Sequence, residues 1–305
     1  MKNIVRWFFL GLYEVITILP RYLITGIIHL VNPKKGNTLK YKGKPIIPII
    51  SLTLSLSVYF ICIFISTRWY VQRLKINYLT NDILSSTKML NKENTEVVNE
   101  EIYVPNDTDK YLDISYLSVD FTDLLKKNEE TVAWIKVNNT NVNYSVVQHN
   151  DNEFYLKHDF YKNYNIAGWV YGDFRDDFKY FGNNTILYSH NMTNRTMFGS
   201  LVWCLKESWY TNEENHYIKL STPYSNTVWK IFSIYTIKPE VYYLKTSFEN
   251  NDEHTEFLNT LKERSIYNFN ENITNKDKIL TLSTCTDDGT KRIVIHAKMI
   301  KAEYR

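Results

Sequence analysis

Glycine is scarce in this chain, at 9 of 305 residues, and neither GxGxxG nor GxxxxGKS/T occurs. Loops of that kind let backbone amides cradle a phosphate, so nucleotide binding through one is excluded. There are three cysteines, Cys62, Cys204 and Cys285, with no CxxC, and the seven histidines form no HExxH. Zinc sites built on such spacings are therefore excluded as well. The net charge of +3 is too close to neutral to suggest nucleic-acid binding. No internal repeat is visible. Asn-x-Ser/Thr triplets such as Asn183-Asn184-Thr185 are expected by chance in so Asn-rich a chain, and no glycosylation is inferred from them.

What the chain does contain begins with one charge-free run, "IIPIISLTLSLSVYFICIFI", residues 46–65. Twenty helical residues cover about 30 Å, the thickness of a bilayer's hydrocarbon core. The run is too long and too far from the N-terminus for a cleaved signal peptide. Lys34, Lys35, Lys40, Lys42 and Lys44 precede it, whereas only Arg68, Arg73 and Lys75 follow, beside Trp69 and Tyr70. The positive-inside rule then predicts a transmembrane helix over 46–66, a cytoplasmic basic loop over 32–45 and everything after 66 outside the cell. Residues 1–31 are apolar but carry Arg6, Glu14, Arg21 and His29, which gather on one side of a helix. Such a stripe predicts a membrane-associated, in-plane segment. A second span is the alternative, and it would leave the lysine loop cytoplasmic.

Residues 67–112 are polar and weakly patterned, and predict an extracellular stalk, helical near the membrane and then flexible. From 113 to 305 the texture changes. "DFTDLLKKNEETVAW" predicts a helix with Asp120 as N-cap. Short β-type runs follow: "WIKV", "VNYSVVQ", "AGWVYGDF", "NTILYSH", "YIKLST", "VWKIFSIYTI", "KILTLSTC" and "KRIVIHAKMI". Close-spaced short strands with few helices predict a barrel or sandwich. Helical interruptions are expected at "TMFGSLVWCLKES" and "HTEFLNTLKER".

In "TLSTC", Thr281, Ser283 and Cys285 alternate onto one face of a strand that ends in the polar turn "TDDG". A thiol becomes a useful nucleophile next to a positive charge or a proton acceptor. Arg292 opens the next run and a hairpin returns it towards Cys285, yet a free cysteine is equally often a small buried apolar residue. Cys204 falls on a helical face with Met197 and Leu201 and is expected in the core, and Cys62 lies in the predicted span. His190, at a strand tip, is favoured as the thiol's partner over His296, which shares strand parity with Arg292. Lys291 and Arg292 have opposite parity, and parity across a turn leaves open which of them faces Cys285.

Taken together, "TLSTC", the histidine in "NTILYSHNM…MFGSL", Arg292 in "RIVIHAKMI" and "NEETVAWIKVNNTNVNYSVVQHNDNEFYL" resemble the class B sortases from about residue 118 to the C-terminus. The resemblance implies a mostly β catalytic domain, a closed eight-stranded barrel with a few flanking helices. It implies a cysteine transpeptidase on the outer face of a Gram-positive membrane, needing no metal or organic cofactor. Cys285 matches the family nucleophile, His190 its general acid and Arg292 the residue that steadies the substrate oxyanion. It further implies substrate-binding roles for Asn152, Leu156, Tyr243, Leu244 and Ser283. The expected partners are secreted proteins bearing a sorting signal, NPxTN-like or LPxTG-like, and the amine of a lipid-linked peptidoglycan precursor. A pilin-polymerising sortase and a membrane-tethered cysteine peptidase are the competing functions. The chain departs from the family at Ser189 and at His149, each where glycine is common.

Overall fold

The computed structural model describes residues 40–41, 44–45, 47–87, 103, 105, 108–286 and 288–305, the side chains before residue 55 and those of Ser86, Thr108 and Asp109 excepted. The predicted in-plane segment 1–31, most of the basic loop and the middle of the predicted stalk lie outside these residues. The chain divides into two compact units, Met1–Leu74 and Lys75–Arg305.

In the first unit, β1 (Lys40–Tyr41) pairs antiparallel with β2 (Lys44–Pro45). Helix α1 (Ile47–Ser86) follows. Among the described residues no helix is long and apolar enough to cross a membrane. The span expected over 46–66 begins in residues whose side chains lie outside the description. From Val58 to Ile65, the large apolar side chains Val58, Tyr59, Phe60, Ile61, Ile63, Phe64 and Ile65 are all exposed.

The second unit opens with the end of α1, where Ile76, Leu79 and Ile83 recur at helical spacing and are buried in the main core. Asp82, next to Ile83, accepts a 2.5 Å hydrogen bond from the Tyr161 hydroxyl. Helix α2 (Thr122–Lys127) is shorter than its sequence suggested. Asp120 accepts from the Thr122 amide at 2.9 Å, but Phe121 stands at the N-cap position. The eight predicted strands form as β3 (Thr131–Val137), β4 (Asn143–Val147), β5 (Tyr171–Gly172), β6 (Asn184–Tyr188), β7 (Tyr217–Ser221), β8 (Ser225–Ile237), β9 (Ile279–Cys285) and β10 (Arg292–Tyr304). They close into a barrel in the order β10-β8-β7-β3-β4-β5-β6-β9. Closure pairs every edge and removes the unpaired backbone groups that open sheets expose. The first predicted interruption becomes a 3-10 helix, Gly199–Leu205, followed by α3 (Glu207–Tyr210), and the second becomes α4 (Asn251–Glu263). Asn250 caps α4 by accepting from the Glu253 amide at 2.9 Å.

Strand parity sorts the side chains into two layers. Leu280 and Leu282 of β9, Ile295 and Ala297 of β10 and Leu187 of β6 join the main core. Ile279 of β9, Val294 of β10 and Phe232 of β8 point the other way and pack with Phe257, Leu258 and Leu261 of α4. That outer layer carries Thr281, Ser283 and Cys285 onwards to the strand end.

Candidate active site

Cys285 is the last residue of β9 and Arg292 the first of β10, and the antiparallel register places them directly opposite each other. The same ladder pairs Val294 with Ser283 and His296 with Thr281, so all six share the outer face. The turn between the strands is held by Thr286, whose amide donates to the Lys291 carbonyl at 3.0 Å and whose carbonyl accepts from Gly289. Gly289 has φ +71°, a backbone conformation that favours glycine. This register decides between the two cations: Arg292 faces Cys285, and Lys291 stands exposed on the turn.

His190 arrives from the other side. β6 runs parallel to β9 with Tyr188 opposite Ser283, and His190 lies two residues beyond Tyr188, as Cys285 lies two beyond Ser283. Below the two strand ends, the Thr284 hydroxyl donates to the Ser189 carbonyl at 2.8 Å and ties them together. His190 Nε2–H donates to the Leu156 carbonyl at 2.8 Å, which leaves Nδ1 for proton exchange. Gly168 makes that carbonyl position possible. Its φ is +57°, and a Cβ there would lie 2.3 Å from the Tyr155 carbonyl oxygen and 2.8 Å from that of Leu156. Cys285, His190 and Arg292 are each half-buried, between a packed layer and solvent.

Tyr243 lies over the same face. Its hydroxyl is 3.1 Å from Ser283 Oγ, and both residues are buried. Burial holds the Tyr243 phenol above its ordinary pKa; Ser283 and the Arg292 charge pull it down, and charge on Cys285 pushes it up. Cys204, by contrast, is fully buried in the main core as expected, and burial raises its thiol well above the ordinary range. Cys62 is exposed on α1.

A Sortase domain family model matches residues 135–300 of this chain. This chain belongs to the sortase family. Sortase B of Staphylococcus aureus is 40% identical over 184 residues, which is 59% of this chain and 75% of that protein. Sortase B of Listeria monocytogenes is 30% identical over 181 residues, 58% of this chain and 73% of that protein. A solved Staphylococcus aureus sortase B-substrate complex superposes with TM-score 0.56 and 40% identity, over 59% of this chain and 84% of that one. With these relatives, the chain is a class B sortase, a cysteine transpeptidase on a closed eight-stranded barrel.

The remaining candidates of this sortase fall into two groups. Ser283 lies two residues before Cys285 on β9, and Tyr243, hydrogen-bonded to Ser283, shares the 3-10 turn Tyr242–Leu244 with Leu244. Leu156 ends the 3-10 turn Phe154–Leu156 on the His190 side, and Asn152 lies two residues before that turn. Asn152 has much of its amide engaged internally: Nδ2 donates to Asp173 at 2.9 Å, and Oδ1 accepts from the Phe174 amide at 3.0 Å. Leu156 contributes its carbonyl to His190.

Asp173, Arg175 and Tyr188 escaped the sequence reading. Asp173 is fully buried and accepts from Arg175 Nε at 2.7 Å, from Arg175 Nη2 at 2.8 Å and from the Tyr188 hydroxyl at 2.9 Å. Arg175 Nη2 also donates to the Leu244 carbonyl at 3.0 Å, so one cation joins the two groups. No motif marks these residues; they are brought together by the parallel and antiparallel pairings around β5 and β6.

His149 stands where the family often has glycine. Its ring stacks on Phe154 at 4.5 Å, and Nδ1 lies 3.0 Å from a Glu130 carboxylate oxygen. The Tyr155 hydroxyl donates to the other Glu130 oxygen at 2.6 Å. This substitution thus braces the turn that presents the Leu156 carbonyl. Ser189, the other departure, donates to the Trp169 carbonyl at 3.3 Å and leaves its own carbonyl for Thr284.

Proposed function

We propose that this sortase cleaves a C-terminal sorting signal of secreted proteins at a Thr carbonyl and joins the acyl group to an amine of a peptidoglycan precursor. The observation that carries this reading is the register that sets Arg292 opposite Cys285, with His190 two residues beyond the pairing of the neighbouring strand. The Cys285 thiolate attacks the Thr carbonyl carbon and forms a tetrahedral oxyanion, which the Arg292 guanidinium steadies. As the carbonyl re-forms, the C–N bond breaks, and His190 in its imidazolium form gives a proton to the departing amine. The acceptor amine then attacks the thioester, His190 takes up its proton, and the Cys285 thiolate leaves. Asn152, Leu156, Tyr243, Leu244 and Ser283 flank the peptide's path.

The membrane is the second element of this reading. The charge-free run 46–65, the lysines before it and the uniformly exposed apolar side chains of 58–65 support a transmembrane anchor with the barrel outside the cell. An anchored enzyme meets a membrane-retained substrate and a lipid-linked acceptor on one surface.

The test is a peptide-library cleavage assay on the full chain in detergent, with Cys285→Ala as blank and product masses read with and without an amine acceptor. Cys285→Ala and His190→Ala abolish turnover, and Arg292→Ala lowers it at least about a hundredfold, the scale of losing an oxyanion donor. Normal turnover by Arg292→Ala refutes its assigned role. Products that gain only water, whatever amine is supplied, make the protein a peptidase; preference for a pilin lysine makes it a pilus-assembly enzyme.

A further inference from the structure

His296, the rival histidine of the sequence, is fully buried behind the site and takes part in one continuous hydrogen-bonded chain. Asn184 Nδ2 donates to the Tyr243 carbonyl at 3.1 Å and to the Lys245 carbonyl at 2.9 Å. Both its amide protons are thereby used, so Oδ1 is fixed as the acceptor facing Thr281 Oγ1 at 2.5 Å. The single Thr281 hydroxyl proton goes to Asn184, and Thr281 must accept from His296 Nδ1–H at 2.8 Å. Burial lowers the His296 pKa to about 3, so the ring is neutral and Nε2 is an acceptor. Tyr235 supplies that proton at 2.9 Å, and its oxygen receives the Tyr242 hydroxyl, also at 2.9 Å. Each proton has one place.

The chain begins at Tyr242 and ends on the carbonyls of Tyr243 and Lys245, so it leaves segment 242–245, crosses β8, β10, β9 and β6, and returns to the same segment. We propose that this one-directional chain positions segment 242–245, the wall of the peptide site beside Cys285, and that Thr281, His296 and Asn184 are positioning residues for substrate binding. The inference rests on the functional reading above only for what the wall binds. Thr281 is the switch point: it alone both accepts from the ring and donates to the amide that holds the segment. A valine of similar shape breaks the chain at its centre and leaves a buried N–H and a buried carbonyl oxygen facing a methyl group.

The experiment compares wild type, Thr281→Val and Thr281→Ser as full chains in detergent, by hydrogen exchange and by kinetics on a sorting peptide. In Thr281→Val, amides of residues 242–246 exchange at least about tenfold faster while those of β3, β4 and β7 stay as in wild type. KM for the peptide rises about fivefold or more with kcat within about twofold, because positioning of the wall is lost and the reacting groups are not. Thr281→Ser, which keeps the hydroxyl, restores both. In wild type, nitrogen NMR of labelled histidine shows the His296 ring as the Nδ1–H tautomer. Wild-type exchange at 242–246 in a folded Thr281→Val overturns the proposal, and so does a fall in kcat at constant KM. An Nε2–H tautomer overturns it independently, which keeps the matter decidable if Thr281→Val fails to fold. Absence of any turnover by wild type counts against the functional reading instead, since exchange and tautomer still report on the chain.

Discussion

Asp173 and Asp176 stand three residues apart and ionise in opposite senses. Burial works against the Asp173 charge, but Arg175, Tyr188 and Asn152 all donate to it and hold its pKa below the ordinary carboxylate value. Asp176 is also largely buried, and the Asp173 charge adds to that burial; a bond from the Ile186 amide does not offset them, and its pKa rises to about 8. A carboxyl with a raised folded-state pKa binds its proton more tightly in the native protein. Its stability contribution is therefore present at low pH and lost as pH climbs from the unfolded value towards 8. Urea unfolding of the full chain at pH 6.5 and pH 8.0 is expected to show a loss of about 1.6 kcal/mol from this group, the slope of ~1.4 kcal/mol per pH unit halving as pH reaches the pKa. Asp176→Asn, which keeps an acceptor for Ile186, removes that loss. An equal decline in the variant would mean that another group titrates. The neighbouring Asp173 was invisible to motif reading for a plain reason: of its partners only Arg175 is close in sequence, while Tyr188 and Asn152 become neighbours through folding.

At the scale of elements, what matters is how two strand ends and two turns meet. β9 and β10 bring Cys285 and Arg292 together by register, and the parallel neighbour β6 brings His190 by extension. The turn Phe154–Leu156 then orients His190 through one carbonyl. Gly168 is the point at which this element is most sensitive. An alanine there combines positive φ with a 2.3 Å approach to the Tyr155 carbonyl, so the turn must move away. Gly168→Ala is expected to destabilise by about 1–3 kcal/mol and to lower kcat/KM about tenfold or more, through a displaced His190. Thermal unfolding and peptide kinetics on the same preparation check it; an unfolding midpoint lowered with kcat/KM intact would separate the turn from the chemistry. Alternation in "TLSTC" and "RIVIHAKMI" made both faces of this hairpin legible in the sequence. β5, by contrast, shrinks to Tyr171–Gly172 because the flanking residues of "AGWVYGDF" bend around Gly168 and the buried Asp173 rather than extending a ladder.

The whole molecule joins a helix rich in exposed apolar side chains to a closed eight-stranded barrel. Phe60, Ile61, Phe64 and Ile65 are each more than half exposed, an arrangement suited to lipid and costly in water. The full chain is expected to partition into vesicles of phospholipid. Ile61→Arg with Phe64→Arg moves it towards the soluble fraction, at about 2.5–3.5 kcal/mol per arginine at the centre of a span. Sedimentation with vesicles reads the change. Retention of the double variant on the membrane at wild-type level would assign the anchoring to another part of the chain.

By itself the sequence determined the barrel's strands, because each carries its alternation locally, and it determined the candidates Cys285, His190 and Arg292, because motif order along the chain survives without coordinates. Parity across the turn left open which cation faces the sulfur; the resemblance implied Arg292, and only the tertiary structure supplied the register that sets it opposite Cys285. It alone also showed that His296 is buried and hydrogen-bonded through both ring nitrogens behind the site, and that Asn152 and Leu156 support their neighbours through an amide and a carbonyl. Hydrogen bonds between residues far apart in sequence, such as Asn184 with Thr281, 97 positions on, exist only once the barrel has closed.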